Sequence, residues 1–328
     1  MTKDRVVAIL RNAHEYLSGE EISRTLGLSR AAVNAAVQSL RRDGYEISSA
    51  TNRGYLLVSA PDHISAGELL AHLPPARLAR IECLDTVDST NNYLKMRAQE
   101  GAPDGLIAIA DAQTRGKGRL GRSFLSPGGR GIYLSMLLRP EGSAAPVAHI
   151  TAMVAVAVSD AIEAVAGVRP GIKWVNDLLI GGKKICGILT EMSVEGESGC
   201  ISYIVTGIGV NVHGAQADFP PELRESATSI AAETGVKVRR AALAAEMIRR
   251  LDELWDAWPG DPRAYVAPYR RDCVTIGREV RYERDGAEVR GFAEDIDDAF
   301  GLIVRLPSGE RETLNSGEVS VRGIYGYA

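Results

Sequence analysis

At 328 residues, with 45% apolar and 24% charged side chains, the chain is an ordinary globular composition too long for one small core, and two or three domains are expected. The net charge of −4 excludes a uniformly basic nucleic-acid coat; residues 1–60 carry +2 and the remainder −6, so only local basic surfaces are available to DNA or phosphate. Four scattered cysteines without a C-x-x-C pair and five unclustered histidines argue against a disulfide frame or zinc site, and the opening residues lack a signal-peptide pattern, so a cytoplasmic protein with reduced thiols is expected.

Val6, Ile9 and Leu10 recur at helical spacing and predict a helix over residues 3–12. A second is predicted over 20–26, with Ile22 and Leu26 on one face, followed by a Gly27-Leu28 turn. Ser29 suits the N-cap of a third helix with Val33, Val37 and Leu40 inside and Gly44 to close it. Residues 45–47 and 55–58 read as strands about the tip Asn52-Arg53-Gly54. Helix-turn-helix plus hairpin makes a winged helix over residues 1–60. On DNA, the third helix presents Arg30, Asn34 and Gln38 in the major groove, while Arg41, Arg42 and Arg53 neutralise phosphates. A winged helix used only for protein packing is the alternative.

From residue 64 to about 270, helices alternate with short strands. Asp88-Ser-Thr-Asn91 precedes an amphipathic helix that Ser89 or Asp88 can cap. A strand over 106–110 leads into Gln113-Thr-Arg-Gly-Lys-Gly-Arg-Leu-Gly-Arg122, where Arg115, Lys117, Arg119 and Arg122 are interleaved with glycines. Glycine lets backbone N–H groups approach a ligand, and the cations suit phosphate or carboxylate. Either a solvated basic loop or a loop that orders around an anion fits this run. Strands are predicted over 81–84, 132–138, 172–174, 178–180, 185–191 and 203–210, with a Gly181-Gly182 hairpin turn. The apolar run 149–168 contains Asp160 and Glu163 and reads as a buried helix over 147–166, not a membrane span. Tight turns between successive strands favour a mixed, largely antiparallel sheet, and no P-loop motif is present. A helix is predicted over 239–258, then five short strands between about 279 and 321, with Asp285-Gly286 and Ser308-Gly309 as turns, suggesting a small barrel over 271–328.

Lys173-Trp-Val-Asn-Asp177 and Gly182-Lys-Lys-Ile-Cys-Gly-Ile-Leu189, taken with the basic loop and the Asp-Ser-Thr-Asn segment, resemble the biotin–protein ligase family. Leu26-Gly-Leu-Ser-Arg-Ala-Ala-Val33 resembles the DNA-binding domain of its bifunctional ligase/repressors, and Ser316-Gly-Glu-Val-Ser320 the SH3-like domain that ends them. The resemblance implies an α+β chain: a winged helix-turn-helix over 1–60, a class II synthetase-like catalytic domain with a central mixed sheet and helices over 64–270, and an SH3-like small β-barrel over 271–328. It implies ATP-dependent formation of biotinyl-5′-AMP, then transfer of biotin to a lysine of the biotin carboxyl carrier protein of acetyl-CoA carboxylase. It also implies repression of biotin-synthesis genes by a homodimer formed when the adenylate is bound.

Site residues carry over by motif. Ser89, Thr90, Asn91, Gln113, Lys117 and Gly118 are implied to hold biotin. Arg119 and Lys184 are implied to be catalytic, meeting both biotin and the α-phosphate, and Arg122, Asn176, Asp177 and Asn211 to meet ATP, with Asp177 a ligand of ATP-borne Mg²⁺. Lys117, Phe124 and Val175 stand where the family more often has Arg, Trp and Pro, and Ala35-Ala36 where larger polar side chains usually meet DNA. A ligase with a winged helix that does not bind DNA, a pure biotin-sensing regulator and a lipoate–protein ligase are the other readings. Lys173 and Trp174 are open between structural and catalytic roles, and Gly207 and Gly209 between ligand approach and close strand packing.

Overall fold

The computed structural model describes residues 2–140, 147–194, 200–257, 262–321 and 323–324. The chain forms two compact units, Met1–Cys83 with Arg239–Ala245, and Leu84–Val238 with Glu246–Ala328.

The first unit opens with α1 (Thr2–Asn12), α2 (Gly19–Leu26) and α3 (Arg30–Arg42), followed by the antiparallel strands β1 (Glu46–Ala50) and β2 (Gly54–Ser59). Ser18 caps α2 by accepting from Glu21 N at 3.0 Å, and Ser29 caps α3 by accepting from Ala32 N at 3.1 Å. Gly27 closes α2 at φ 64°, a left-handed conformation that glycine adopts without a Cβ penalty. Val6, Leu10, Ile22, Val33, Val37 and Leu40 form the core, as their helical spacing predicts.

This unit continues past the expected boundary at residue 60, into α4 (Ala66–Leu70) and α5 (Pro75–Leu78). Glu68 is wholly buried and receives both Nε and Nη2 of Arg11 at 2.9 Å. A Cβ on Gly67 would run into Val7 and Asp4 of α1, so α4 lies tight against α1. Asp62 accepts from the backbone and side chain of Arg240, itself 1% exposed. The segment after residue 60 is therefore held to α1 by the Glu68–Arg11 pair and to residues 239–245 by Asp62 and Arg240, contacts that apolar periodicity does not register.

In the second unit, β3 (Ile81–Val87), α6 (Thr90–Gln99), β4 (Ile107–Gln113), β5 (Gly131–Leu138), α7 (Val147–Ala166), β6 (Gly171–Lys173), β7 (Asp177–Ile180), β8 (Lys183–Val194) and β9 (Ile201–Asn211) build a seven-stranded sheet with its helices. The strand order is β3-β4-β5-β9-β8-β7-β6, and every pair from β4 to β6 is antiparallel. On β8, Thr190 bonds Thr151 of α7 while its neighbour Glu191 bonds Lys95 and Asn91 of α6. Successive strand residues point to opposite faces, so α6 and α7 cover opposite sides of the sheet. His149–Ala166 is long and apolar enough to cross a membrane, yet 72% of it is buried in the protein.

The chain continues through α8 (Ile230–Thr234), α9 (Arg240–Ala257) and α10 (Arg263–Asp272) to β10 (Glu279–Arg284), β11 (Ala287–Ile296), β12 (Leu302–Arg305), β13 (Arg311–Leu314) and β14 (Val319–Val321). The expected helix end at Trp258 lies outside the described residues. The last five strands form an antiparallel sheet in the order β13-β12-β11-β10-β14. Trp174 Nε1 donates to Phe300 O at 2.9 Å and Val274 N to Ile172 O at 2.9 Å, fastening this sheet to the β6 end of the larger one.

Candidate active site

Strand register sets the floor of the site. Ser135 on β5 pairs with Gly207 on β9, which pairs with Leu189 on β8; the next row is Tyr133, Gly209 and Gly187. Asn91, at the start of α6, lies over the first row: a Cβ on Gly207 would collide with its Oδ1. Its amide nitrogen donates to Leu189 O at 3.2 Å and Glu191 Oε2 at 2.8 Å, and its oxygen lies 2.6 Å from Ser135 Oγ. Phe124 lies over the second row, edge-on to Tyr133 with centroids 6.4 Å apart, and a Cβ on Gly209 would strike its ring. The two β9 glycines thus make room for an amide and a ring.

Thr90 and Gln113 stand beside this floor. Gln113 Oε1 accepts from Thr90 N at 2.9 Å, and its nitrogen donates to Ser126 Oγ at 2.9 Å. Arg115 N donates to Asp88 O at 2.8 Å, which ties the exits of β3 and β4 together and brings the Asp-Ser-Thr-Asn segment to the basic loop. The expected cap of α6 is not made: Ser89 occupies the N-cap position without a side-chain cap bond, and the Asp88 carboxylate accepts from Asn92 Nδ2 at 2.6 Å. Burial raises the Asp88 carboxyl pKa, but Asn92, the Ser89 N–H, Arg115 and Lys117 outweigh it and hold it below the ordinary value.

The basic loop is a narrow hairpin. Lys117 bridges Ser123, Gly118 N donates to Arg122 O at 2.7 Å, and Phe124 N to Gly116 O at 2.8 Å. Leu120 at its tip is 74% exposed with φ 54°. Arg119 reaches Asn176 Oδ1 at 2.9 Å and Gly317 O at 2.8 Å, while Arg122 pairs with Glu318 at 2.7 Å. Lys184 pairs with Asp177 at 2.7 Å, and Gly187 leaves room for its side chain, since a Cβ there would come within 2.9 Å of Lys184 Cε and Nζ.

Two contiguous cavities result. A narrow one of about 40 Å³ is lined by Ser89, Thr90, Asn91, Gln113 and Lys117 among others. A larger one of about 430 Å³ is lined by Arg122, Lys173, Asp177 and Asn211 among others. Gly118, Arg119, Asn176 and Lys184 belong to both walls. Every residue of the second unit expected at the site therefore lines one cavity or the other. Among the described residues no group of three or more His, Cys, Asp or Glu could hold a metal ion. Asp177 offers one carboxylate in the larger cavity, which fits a magnesium ion arriving on phosphate oxygens, because that ion needs few protein ligands.

In the first unit, Arg30, Asn34 and Gln38 lie exposed along the outer face of α3, with Arg42 and wing Arg53 also exposed. Arg53 stacks on Tyr16, 4.5 Å from the ring centroid. Arg41 differs from the expected phosphate contact: its guanidinium bonds Ile47 O at 2.6 Å and Ser49 Oγ at 2.7 Å, bracing β1 against α3.

Residues 83–211 match the Biotin/lipoate A/B protein ligase family, residues 2–56 an HTH domain family, and residues 275–322 the Biotin protein ligase C terminal domain. The chain is 36% identical over 318 residues to the Bifunctional ligase/repressor BirA of Bacillus subtilis, covering 96% of this chain and 97% of that one. It is 30% identical over 319 residues to the protein of the same name from Escherichia coli, covering 97% and 96%. It belongs to the bifunctional biotin ligase/repressor family. A solved biotin protein ligase from Aquifex aeolicus, in complex with biotin and ATP, superposes with a TM-score of 0.64 at 27% identity, over 74% of this chain and 98% of that one.

Within this ligase/repressor the motifs led to the cavity walls but not to what supports them. Ser135, Ser126, Lys95 and Glu191 were missed because none belongs to a motif: Ser135 and Glu191 lie in expected strands, Lys95 in an expected helix and Ser126 in the loop after the basic run. Ser135 could have been flagged as the one serine in the apolar run of β5. Lys173, left open from sequence, is 8% exposed on the larger cavity's wall, where burial pushes its ammonium below the ordinary pKa against the pull of Asp177. Burial pushes the Cys186 thiol well up, in keeping with a packing residue.

Proposed function

We propose that this chain activates biotin with ATP and passes it to a lysine of the biotin carboxyl carrier protein, and that its winged helix binds operator DNA. The observation that carries the ligase reading is the shared wall: Arg119, Lys184 and Asn176 border both the narrow cavity and the large one. The ring of biotin occupies the narrow cavity over Asn91 and Gly207, and its chain points toward Lys184. ATP occupies the larger cavity, with Asn211 on the adenine side and Asp177 on the phosphate side.

A biotin carboxylate oxygen attacks the α-phosphorus, the bond to the bridging oxygen breaks, and pyrophosphate leaves. Both reactants are anions, so Lys184 and Arg119 lower the cost of bringing them in line and stabilise charge gathering on the phosphate. Asp177 would be the protein ligand of a magnesium ion, which would supply further charge neutralisation. Phe124 and the hairpin exclude water from the mixed anhydride. The acceptor amine then attacks the acyl carbon, forming the amide, losing a proton and expelling AMP. In the regulatory half, Arg30, Asn34 and Gln38 face the bases while Arg42 and Arg53 meet phosphates, in a cytoplasmic homodimer that forms when the adenylate is bound. The functional domains of this reading are 1–60, 64–270 and 271–328, and they differ from the compact units in assigning residues 64–83 and 239–245 to the catalytic part.

Isotope exchange between pyrophosphate and ATP tests the first half-reaction. Exchange with biotin and not with lipoate is the expected result. Exchange with lipoate alone reassigns the narrow cavity, and exchange with neither acid leaves a biotin-sensing regulator.

A further inference from the structure

Beneath the ring subsite runs a chain of hydrogen bonds whose proton order can be worked out. The Asn91 nitrogen faces Leu189 O and the Glu191 carboxylate, which only accept, so its oxygen must be the atom facing Ser135. Gln113 is oriented by the same logic, since the Thr90 N–H can only donate to its oxygen. Ser135 Oγ lies 2.6 Å from Asn91 Oδ1 and 2.7 Å from Thr90 Oγ1. A hydroxyl carries one proton. The Asn91 oxygen has none to give, so the 2.6 Å contact takes the proton of Ser135. The 2.7 Å contact is then held by the proton of Thr90, donated into Ser135. Thr90 Oγ1 also lies within bonding distance of Gln113 Oε1, at 3.2 Å, but its one proton serves the shorter contact to Ser135, which leaves the two oxygens with lone pairs at the same cavity.

We propose that Ser135, wholly buried beneath the ring subsite, is a positioning residue that makes this subsite an acceptor of ligand N–H groups by drawing the Thr90 proton away from the cavity. The proposal rests on the biotin reading above. The cyclic urea of biotin carries ring N–H donors, and a single N–H can be shared by the Thr90 and Gln113 oxygens. Glu191, paired with Lys95, anchors the far end by fixing the Asn91 amide. Without Ser135, the Thr90 hydroxyl is free to turn its proton toward Gln113 or the ligand, and the Asn91 oxygen loses its donor.

The test is pyrophosphate exchange by wild type, Ser135→Ala and Ser135→Cys. Each is measured with biotin and with cyclic carbamate analogues in which a ring oxygen replaces one N–H or the other. Wild type should prefer biotin to the less favoured carbamate by about 100-fold in kcat/KM, as a site with unpaired acceptors rejects a ligand lacking the donor. In Ser135→Ala the biotin KM should rise about tenfold and that preference should shrink by about tenfold. Ser135→Cys, similar in volume but a weaker donor, should fall between, and it remains decisive if the alanine variant does not fold. A rise in KM with the biotin-to-carbamate preference unchanged in the variants would mean that Ser135 only packs, and overturns the proposal. Wild-type protein without biotin-dependent exchange overturns the ligase reading itself, a separate result.

Discussion

Around the proposed ring subsite, Ser89, Thr90, Asn91 and Ser135 are each at most 3% exposed, and Asn91 alone bonds β5 and β8 at once. At the proposed nucleotide end the side chain of Arg122 is 68% exposed and that of its partner Glu318 40%, and Arg119 spends its donors on Asn176 and Gly317. One end is held by buried bonds within the protein; the other holds its cations on exposed protein oxygens that phosphate can replace. Rigidity suits the ring, whose recognition depends on donor and acceptor placement, while exchangeable charge suits a reaction in which pyrophosphate must leave.

The largest expected effect lies where the two ends meet. Lys184→Ala should slow biotin-dependent pyrophosphate exchange by about 10²- to 10³-fold, with biotin affinity by calorimetry changing far less. Equal losses in rate and affinity would erase the distinction between the ends. Gly207→Ala should displace Asn91 and weaken biotin binding by about 10- to 100-fold while leaving the KM for ATP in place. A variant that binds biotin normally would show that the ring end is more compliant than its packing implies.

The next effect is set by pH. Burial raises the Glu191 carboxyl pKa, but bonds from Lys95 and Asn91 and the charges of Lys95 and Lys117 outweigh it and hold it below its ordinary 4.5. A depressed carboxyl contributes stability that is present above its unfolded value and lost as pH falls through the folded one. Glu191→Gln should therefore lower Tm near neutral pH, at about 1 kcal/mol or less given solvent screening, and the gap to wild type should close as the pH drops below 4.5. A gap that stays constant with pH would remove charge from the explanation. Glu318→Ala should do least, changing stability by about 0.5 kcal/mol or less in chemical denaturation, because both partners are exposed. A larger loss would mean that the hairpin is fastened as firmly as the ring end.

Much of this was legible in the residues. The winged helix followed from Val33, Val37 and Leu40 at helical spacing, from Ser29 as a cap and from the wing turn. The cavity walls followed from four motifs whose types match the charge of the reactants. The first-unit boundary did not: Glu68, Arg11, Asp62 and Arg240 are polar residues from distant positions, and no periodicity announces that charges will be buried together. The hairpin form of the basic loop was equally hidden, because its cross-strand bonds are made by backbone atoms and leave no side-chain pattern. Ser135 escaped for a third reason, since its meaning depends on which residues β5, β9 and β8 bring into register.

In genetic terms, β9 is a strand with two closed positions. Gly207 sits under the amide of Asn91 and Gly209 under the ring of Phe124, and every other amino acid adds a Cβ that strikes what lies above. Ile208 between them points to the opposite face, into apolar packing that tolerates exchanges of similar volume. A saturation scan scored by growth on limiting biotin would leave 207 and 209 blank and 208 partly filled. Across these three positions, evolutionary drift is confined to the middle codon.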